Sequence, residues 1–331
     1  MKAHNIASAS ASVLALAFAL VAGCGSDFAP KNAVTGVRIL AARADQPYAR
    51  PGETVRVEVL AHDGRTAPAE PMRVFWFPAP CVSPPGDLYF ACFPAFEALF
   101  PVGVDLTPSL VESRELTFTI PPDALANAVV HPGQRERYTS AFAFMVACPG
   151  HVERIARRGD LGPNAIPVAC MNARGEPLPA DQFVFGYTQV YVFDERRNAI
   201  PKLEGITFEG KPVDLATGIV TERCREEETG DTCKKKVKFD VTFPEDAAEV
   251  DPDNVDAEGK VGREAIYVDW FTSVGKFQTN RKILFDGNLG RTPKPAIDFN
   301  APFGPAKGTV WAVLHDNRGG TSWLEVPIEI K

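Results

Sequence analysis

Hydrophobic and polar residues alternate over short distances along most of this chain. Val55, Val57 and Val59 are interleaved with Arg56 and Glu58, and Val237, Phe239, Val241 and Phe243 with Lys238, Asp240 and Thr242. A period of two turns one set of side chains to a core and the other to water, the mark of a half-buried strand. Further strands are predicted over Gly36–Leu40, Arg73–Phe77, Leu116–Ile120, Tyr138–Cys148 and Phe183–Phe193. Gly205–Phe208, Ala265–Phe271 and a closing hairpin over Thr309–Val326 follow. Turn pairs such as Pro51-Gly52 and Asp63-Gly64 separate them, and no long helical period interrupts. The expected class is all-β, built as sandwiches.

One stretch departs from the pattern. Leu88–Phe100 carries five aromatics in thirteen residues. A short helix opened by Pro94 would put Phe93, Phe96 and Phe100 on one face, with Phe90 just ahead of it. Two readings stay open: the aromatics plug the end of a sandwich as core, or they form an exposed patch that marks a binding surface.

The second half of the chain echoes the first. Gly205-Ile206-Thr207-Phe208 repeats the pattern of Gly36-Val37-Arg38-Ile39, and Trp270 stands where Trp76 stands. A buried tryptophan on the third strand resembles immunoglobulin-like sandwiches, and Thr309–Val326 resembles the closing strands of bacterial PKD-type modules. The resemblance implies two immunoglobulin-like antiparallel β-sandwich domains. The first covers 34–200, with a polar insertion at 149–181, and the second 201–331. The polar connection near 197–203 is short enough to imply that they pack end to end.

At the N-terminus, Lys2 and His4 precede an apolar run that ends in Val21-Ala22-Gly23-Cys24. This resembles a bacterial lipoprotein signal. The resemblance implies that residues 1–23 are removed, that Cys24 carries diacylglycerol and a further acyl chain such as palmitate, and that 24–33 is a tether. The run is too short and too interrupted by serine to span a bilayer. Gly25, in place of aspartate after the cysteine, implies the outer membrane of the cell envelope.

An exported chain with six further cysteines is expected to oxidise them. Antiparallel strands would carry Cys81 and Cys148 to opposite ends of the first sandwich, which leaves Cys81–Cys92, Cys148–Cys170 and Cys224–Cys233. No Cys-x-x-Cys pair or histidine cluster points to zinc.

Composition narrows the function. A formal charge of −7 argues against a nucleic-acid surface. Glu226-Glu227-Glu228 and Lys234-Lys235-Lys236 read as facing arms of one hairpin. The acidic run Asp251–Gly259 fails as an EF-hand because Val255 holds its fifth position and Asp256 its sixth, so a solvated loop is expected. His62-Asp63 and His315-Asp316 precede turns, and no nucleophile motif accompanies them. No metal, cofactor or catalytic residue is expected. The predicted function is a non-enzymatic envelope lipoprotein that binds an envelope protein or glycan or serves a structural role. A glycan-binding module and a hydrolase with loop-borne residues are the alternatives.

Overall fold

Each half of the chain folds as a sandwich of two sheets, and both follow the same strand plan. The computed structural model describes residues 30–130, 132–133, 135–155, 168–225, 233 and 236–331. The expected signal sequence at 1–23, Cys24, most of the expected tether, the middle of the 149–181 insertion and the charged arms at 226–228 and 234–235 lie outside the described residues.

The first half begins with β1 (Val37–Ala44), β2 (Tyr48–Ala49), β3 (Thr54–Asp63), β4 (Arg73–Trp76) and β5 (Cys81–Val82). Helix α1 (Phe93–Leu99) follows, then β6 (Val111–Glu112), β7 (Glu115–Thr119) and β8 (Thr139–Cys148). A hairpin of β9 (His151–Arg154) and β10 (Val168–Met171) precedes β11 (Val184–Val192). Strands β1-β3-β7 form one sheet and β2-β11-β8-β4-β6 the other, with β5 also on β8. Only the β2–β11 pairing is parallel among these neighbours.

The second half repeats this arrangement. Its strands are β12 (Gly205–Phe208), β13 (Lys211–Pro212), β14 (Ile219–Thr221), β15 (Lys236–Thr242), β16 (Val250–Val255) and β17 (Val261–Arg263). Then come β18 (Ile266–Thr272), β19 (Lys276–Phe277), β20 (Arg281–Asp286), β21 (Gly290–Arg291), β22 (Ile297–Asn300), β23 (Ala306–Asp316) and β24 (Thr321–Ile330). The sheets run β13-β12-β15-β22-β19 and β14-β24-β23-β18-β20-β21, with β14 parallel to β24. Both halves thus have an A-B-E sheet facing a G-F-C sheet, the immunoglobulin plan.

Period-two patterning explains the cores. Val55, Val57 and Val59 point inward against Val74, Trp76, Ala141, Ala143 and Met145. Phe239, Trp270, Phe299 and Leu314 fill the second core. Trp76 lies fully buried on β4 and Trp270 nearly so on β18. Trp76 donates from Nε1 to the Ser113 carbonyl at 3.0 Å, which meets the need of a buried indole for a partner.

Strand β8 is buried at every position, which alternation alone does not predict. Its second face, Phe142, Phe144, Val146 and Cys148, joins Phe75 and Phe77 beneath α1 and the β9–β10 hairpin. The aromatic segment therefore does not plug the sandwich end. It lies over the outer face of the G-F-C sheet as a third layer. Phe93 and Phe100 are buried there and Phe90 and Phe96 half-buried, and Phe96 meets Phe144 edge to face at 5.0 Å. Three bridges join Cys81–Cys92, Cys148–Cys170 and Cys224–Cys233, with Cα separations of 5.9, 5.7 and 5.8 Å. The first holds α1 to the sheet edge and the second holds the hairpin to the end of β8.

The two sandwiches meet face to face rather than end to end. Leu40, Ala41 and Leu60, on the outer side of β1 and β3, pack on Trp311 and Val313 from the outer side of β23. His62 lies 4.6 Å from the Trp311 ring, and Arg43 sits 4.0 Å over Trp323. The end of the expected tether also belongs to this contact. Asn32 donates from Nδ2 to the Phe277 carbonyl at 2.9 Å, and Val34 N to the Thr272 carbonyl at 2.8 Å. Asn32, Ala33 and Val34 are buried against the second sandwich, so the chain is already fixed before β1 begins.

Candidate functional site

Most residues singled out in the sequence prove to be structural. His62 packs on Trp311, and His315 stacks on Tyr267 at 4.9 Å. Burial pushes the His315 imidazole down to about 4, which keeps it neutral; it shares a hydrogen bond with the Thr321 hydroxyl at 3.1 Å and lies 3.5 Å from Asp269, so its partners are structural. Asp63 pairs with Arg65. Asp316 Oδ1 accepts from the backbone N–H groups of Arg318 and Gly320 at 2.7 and 2.8 Å, which closes the β23–β24 turn.

The acidic run is more than a solvated loop. It forms a hairpin of β16 and β17 inserted between the B and C strands of the second sandwich. Arg196, from the connection after β11, donates to Asp251 Oδ1 at 3.0 Å and also pairs with Asp253. Its guanidinium lies 5.4 Å from the ring of Phe193 and 5.6 Å from that of Tyr48. A second arginine, Arg318 in the β23–β24 turn, donates to the carbonyls of Val250 and Arg197 at 3.2 and 2.9 Å. Behind it lies Glu264, fully buried, its carboxylate 3.4 Å from Arg318 Nη1. Burial raises that carboxyl to about 7, against the pull of the Glu249 N–H and the Arg318 charge. The two arginines fix the base of the hairpin to the junction between the sandwiches. A polar cleft of about 180 Å³ remains there, walled by Tyr48, Tyr138, Tyr191 and Phe193 on one side. Burial pushes the Tyr191 hydroxyl up to about 12, so it stays protonated.

The far end of the same hairpin makes a larger cleft. Its tip, Asp256–Arg263, faces the β20–β21 turn at 286–290 across a space of about 380 Å³. In immunoglobulin terms these are the B–C and C′–C″ connections, which lie at one end of the sandwich. Each loop is rigidly built. Asp256 Oδ1 accepts from the N–H groups of Glu258 and Lys260 at 3.1 and 2.8 Å. Asp286 Oδ1 accepts from those of Asn288 and Leu289, both at 3.0 Å. Asn254 donates from Nδ2 to the Arg263 carbonyl at 2.8 Å. Glycine is required at Gly287, where a Cβ would fall 2.2 Å from the Arg263 carbonyl oxygen of the facing loop. A Cβ on Gly262 would fall 2.6 Å from Asn254 Nδ2 and 2.8 Å from Asn288 Oδ1.

Val261, Phe285 and Leu289 give the cleft an apolar side; Asp256, Lys260 and Asn288 give it a polar one. Leu289, 89% exposed, stands at the mouth of this concave surface, where its side chain is open to a ligand. Sequence reasoning missed this site because its two halves lie about thirty residues apart. The only local signals were the turn sequences Asp256-Ala-Glu-Gly259 and Asp286-Gly-Asn-Leu-Gly290, which read as ordinary hairpins. Among the described residues no three His, Cys, Asp or Glu side chains converge to hold a metal ion.

No protein-family model matches the sequence, and no curated protein matches it. Among solved structures the chain is similar to elastase-activated alpha-2-macroglobulin of Escherichia coli, at 10% identity, over 92% of this chain and 22% of that one, with a TM-score of 0.22. It thus spans about a fifth of that protein. Murine CEACAM1b is similar at 11% identity over 89% of this chain and all of that one, with a TM-score of 0.20. The two tandem V-type regions of VCBP3, a v-region-containing chitin binding protein, show 11% identity over 89% and 100%, with a TM-score of 0.23. Superpositions this loose carry no argument about function. On its own strand plan, the chain is an all-β protein of two immunoglobulin-like sandwiches.

Proposed function

We propose that the protein is a non-enzymatic binding module of the bacterial cell envelope, held to the outer membrane by lipid on Cys24. Its binding surface is the cleft between the Asp256–Arg263 tip and the 286–290 turn. The observation that carries this reading is the cleft itself: two interlocked loops on a rigid sandwich, enclosing about 380 Å³ with an exposed Leu289 at the rim. That volume lies within the range of ligand sites, and loops fixed on a scaffold are where such sites are usually found. The non-enzymatic reading rests on chemistry. Asp251 and Asp253, the carboxylates that line a second cleft, share Arg196 as ion-pair partner, which gives them a structural role in fixing the hairpin to the junction.

Co-sedimentation tests the proposal. The full chain carrying Cys24→Ala, so that it is free of lipid, is mixed with isolated envelope material. Saturable co-sedimentation that is lost in Asn288→Ala/Leu289→Ala supports it. Both side chains are exposed, so the double variant should fold normally. An unchanged profile in that variant contradicts the assignment of the site.

A further inference from the structure

Resting on that reading of the cleft, we infer that its ligand is a neutral glycan segment, gripped between the apolar side chains of Val261, Phe285 and Leu289 and the polar groups of Asp256, Lys260 and Asn288.

Charge is the first argument. The lining carries one carboxylate, Asp256, and two cations, Lys260 and Arg263. Asp256 spends one oxygen on its own turn, and Arg263 directs Nε to the Ala248 carbonyl at 2.6 Å while its guanidinium lies 5.5 Å over Phe285. With Arg263 engaged by that carbonyl and ring, Asp256 and Lys260 remain as one charge of each sign, and the lining sums to a single positive charge, so it selects only weakly for an ion. Shape and polarity are the second. A sugar ring has an apolar C–H face and a hydroxyl edge, and each hydroxyl both donates and accepts. This cleft offers an aromatic and two aliphatic side chains beside an amide, a carboxylate and an ammonium, so both sides of such a ring find partners. Size is the third. The space of about 380 Å³ falls in the size range of small-molecule sites and is open at its mouth for a longer chain. Rigidity is the last. The close approach of Gly262 to Asn254 and Asn288 preforms the cleft, which lowers the ordering cost of weak polar contacts.

Ligand-observed saturation-transfer NMR tests this on the full chain carrying Cys24→Ala. The probes are cellobiose, maltose and lactose, with a digalacturonate as the charged control. At least one neutral disaccharide should bind saturably, with a dissociation constant around the millimolar level usual for so small a ligand. Asn288→Ala/Leu289→Ala should weaken it by at least about tenfold, a loss of about 1.4 kcal/mol. Gly262→Ala, whose new methyl group displaces Asn288, should do the same. Tighter binding of the digalacturonate, or neutral-sugar binding that both variants leave intact, overturns the inference. If no sugar binds while envelope co-sedimentation still depends on Asn288 and Leu289, the glycan inference falls and the binding-module reading stands. If co-sedimentation is also indifferent to those residues, both fall.

Discussion

Arg196 donates from Nη2 to Asp251 Oδ1 at 3.0 Å, from a side chain only 8% exposed. The pair joins the connection between the sandwiches to the hairpin that builds the cleft. It is buried, and removing one partner of a buried pair leaves a charge without compensation.

Arg196→Ala should therefore destabilise the protein by about 3–5 kcal/mol. Arg50→Ala breaks the exposed pair with Glu195 and should cost no more than about 1 kcal/mol. Urea unfolding of the two variants makes the comparison. Equal losses would mean that the junction does not hold the hairpin.

Trp311 belongs to the face shared by the two sandwiches and is 1% exposed. Trp311→Ala should cost about 3–5 kcal/mol and lower the stability of both halves together, because Leu40, Leu60 and His62 lose their partner. Calorimetry should show a single transition that moves as one. Two separable transitions, with only the second shifted, would restore the picture of independent sandwiches.

That contrast shows what the sequence could and could not reveal. Period-two alternation at Val55–Val59 and Val237–Phe243 located strands correctly, because one buried face is enough to impose it. Trp76 and Trp270 marked equivalent strands because a large indole fits only a deep core position. Alternation says nothing about a strand's second face. The outer layer on Phe142 and Phe144, and the contact of Leu40 and Leu60 with Trp311, were hidden because a strand buried on both sides reads as a plain apolar run. The cleft was hidden for a different reason. It arises where two turns far apart in sequence approach each other, and each turn alone carries only the residues that any turn requires.

Glu264 gives a pH test. Burial holds its folded carboxyl at about 7, above its ordinary 4.5, beside Arg318, Glu249 and Asp316. Between those values the folded state keeps a proton that the unfolded state has lost, so this contribution is complete below about pH 4.5 and fades as pH rises through 7. Glu264→Gln resembles the protonated form. The variant should match the parent near pH 5 and exceed its stability near pH 8 by up to about 3 kcal/mol. His315, lowered to about 4 by burial, contributes in the opposite sense, since its share is lost as pH falls, but it is common to both proteins and cancels in their difference. A difference that stays flat from pH 5 to 8 would contradict the account.

The anchor is tested in cells. Cys24→Ala should release the chain from the membrane fraction into the soluble envelope fraction if, as proposed, lipid on that thiol supplies the attachment. A variant that is still cut after Gly23 and still held to the membrane would rule out the lipid on Cys24.

Hydrogen exchange of the full chain, carrying Cys24→Ala, with and without isolated envelope material, tests the central claim most directly. Protection should appear in Asn254–Arg263 and Phe285–Gly290, and leave α1 with its aromatic layer at the level of the free protein. Protection confined to Leu88–Phe100, or to the tyrosine wall around Tyr191, would place the binding surface elsewhere and contradict the assignment of the cleft.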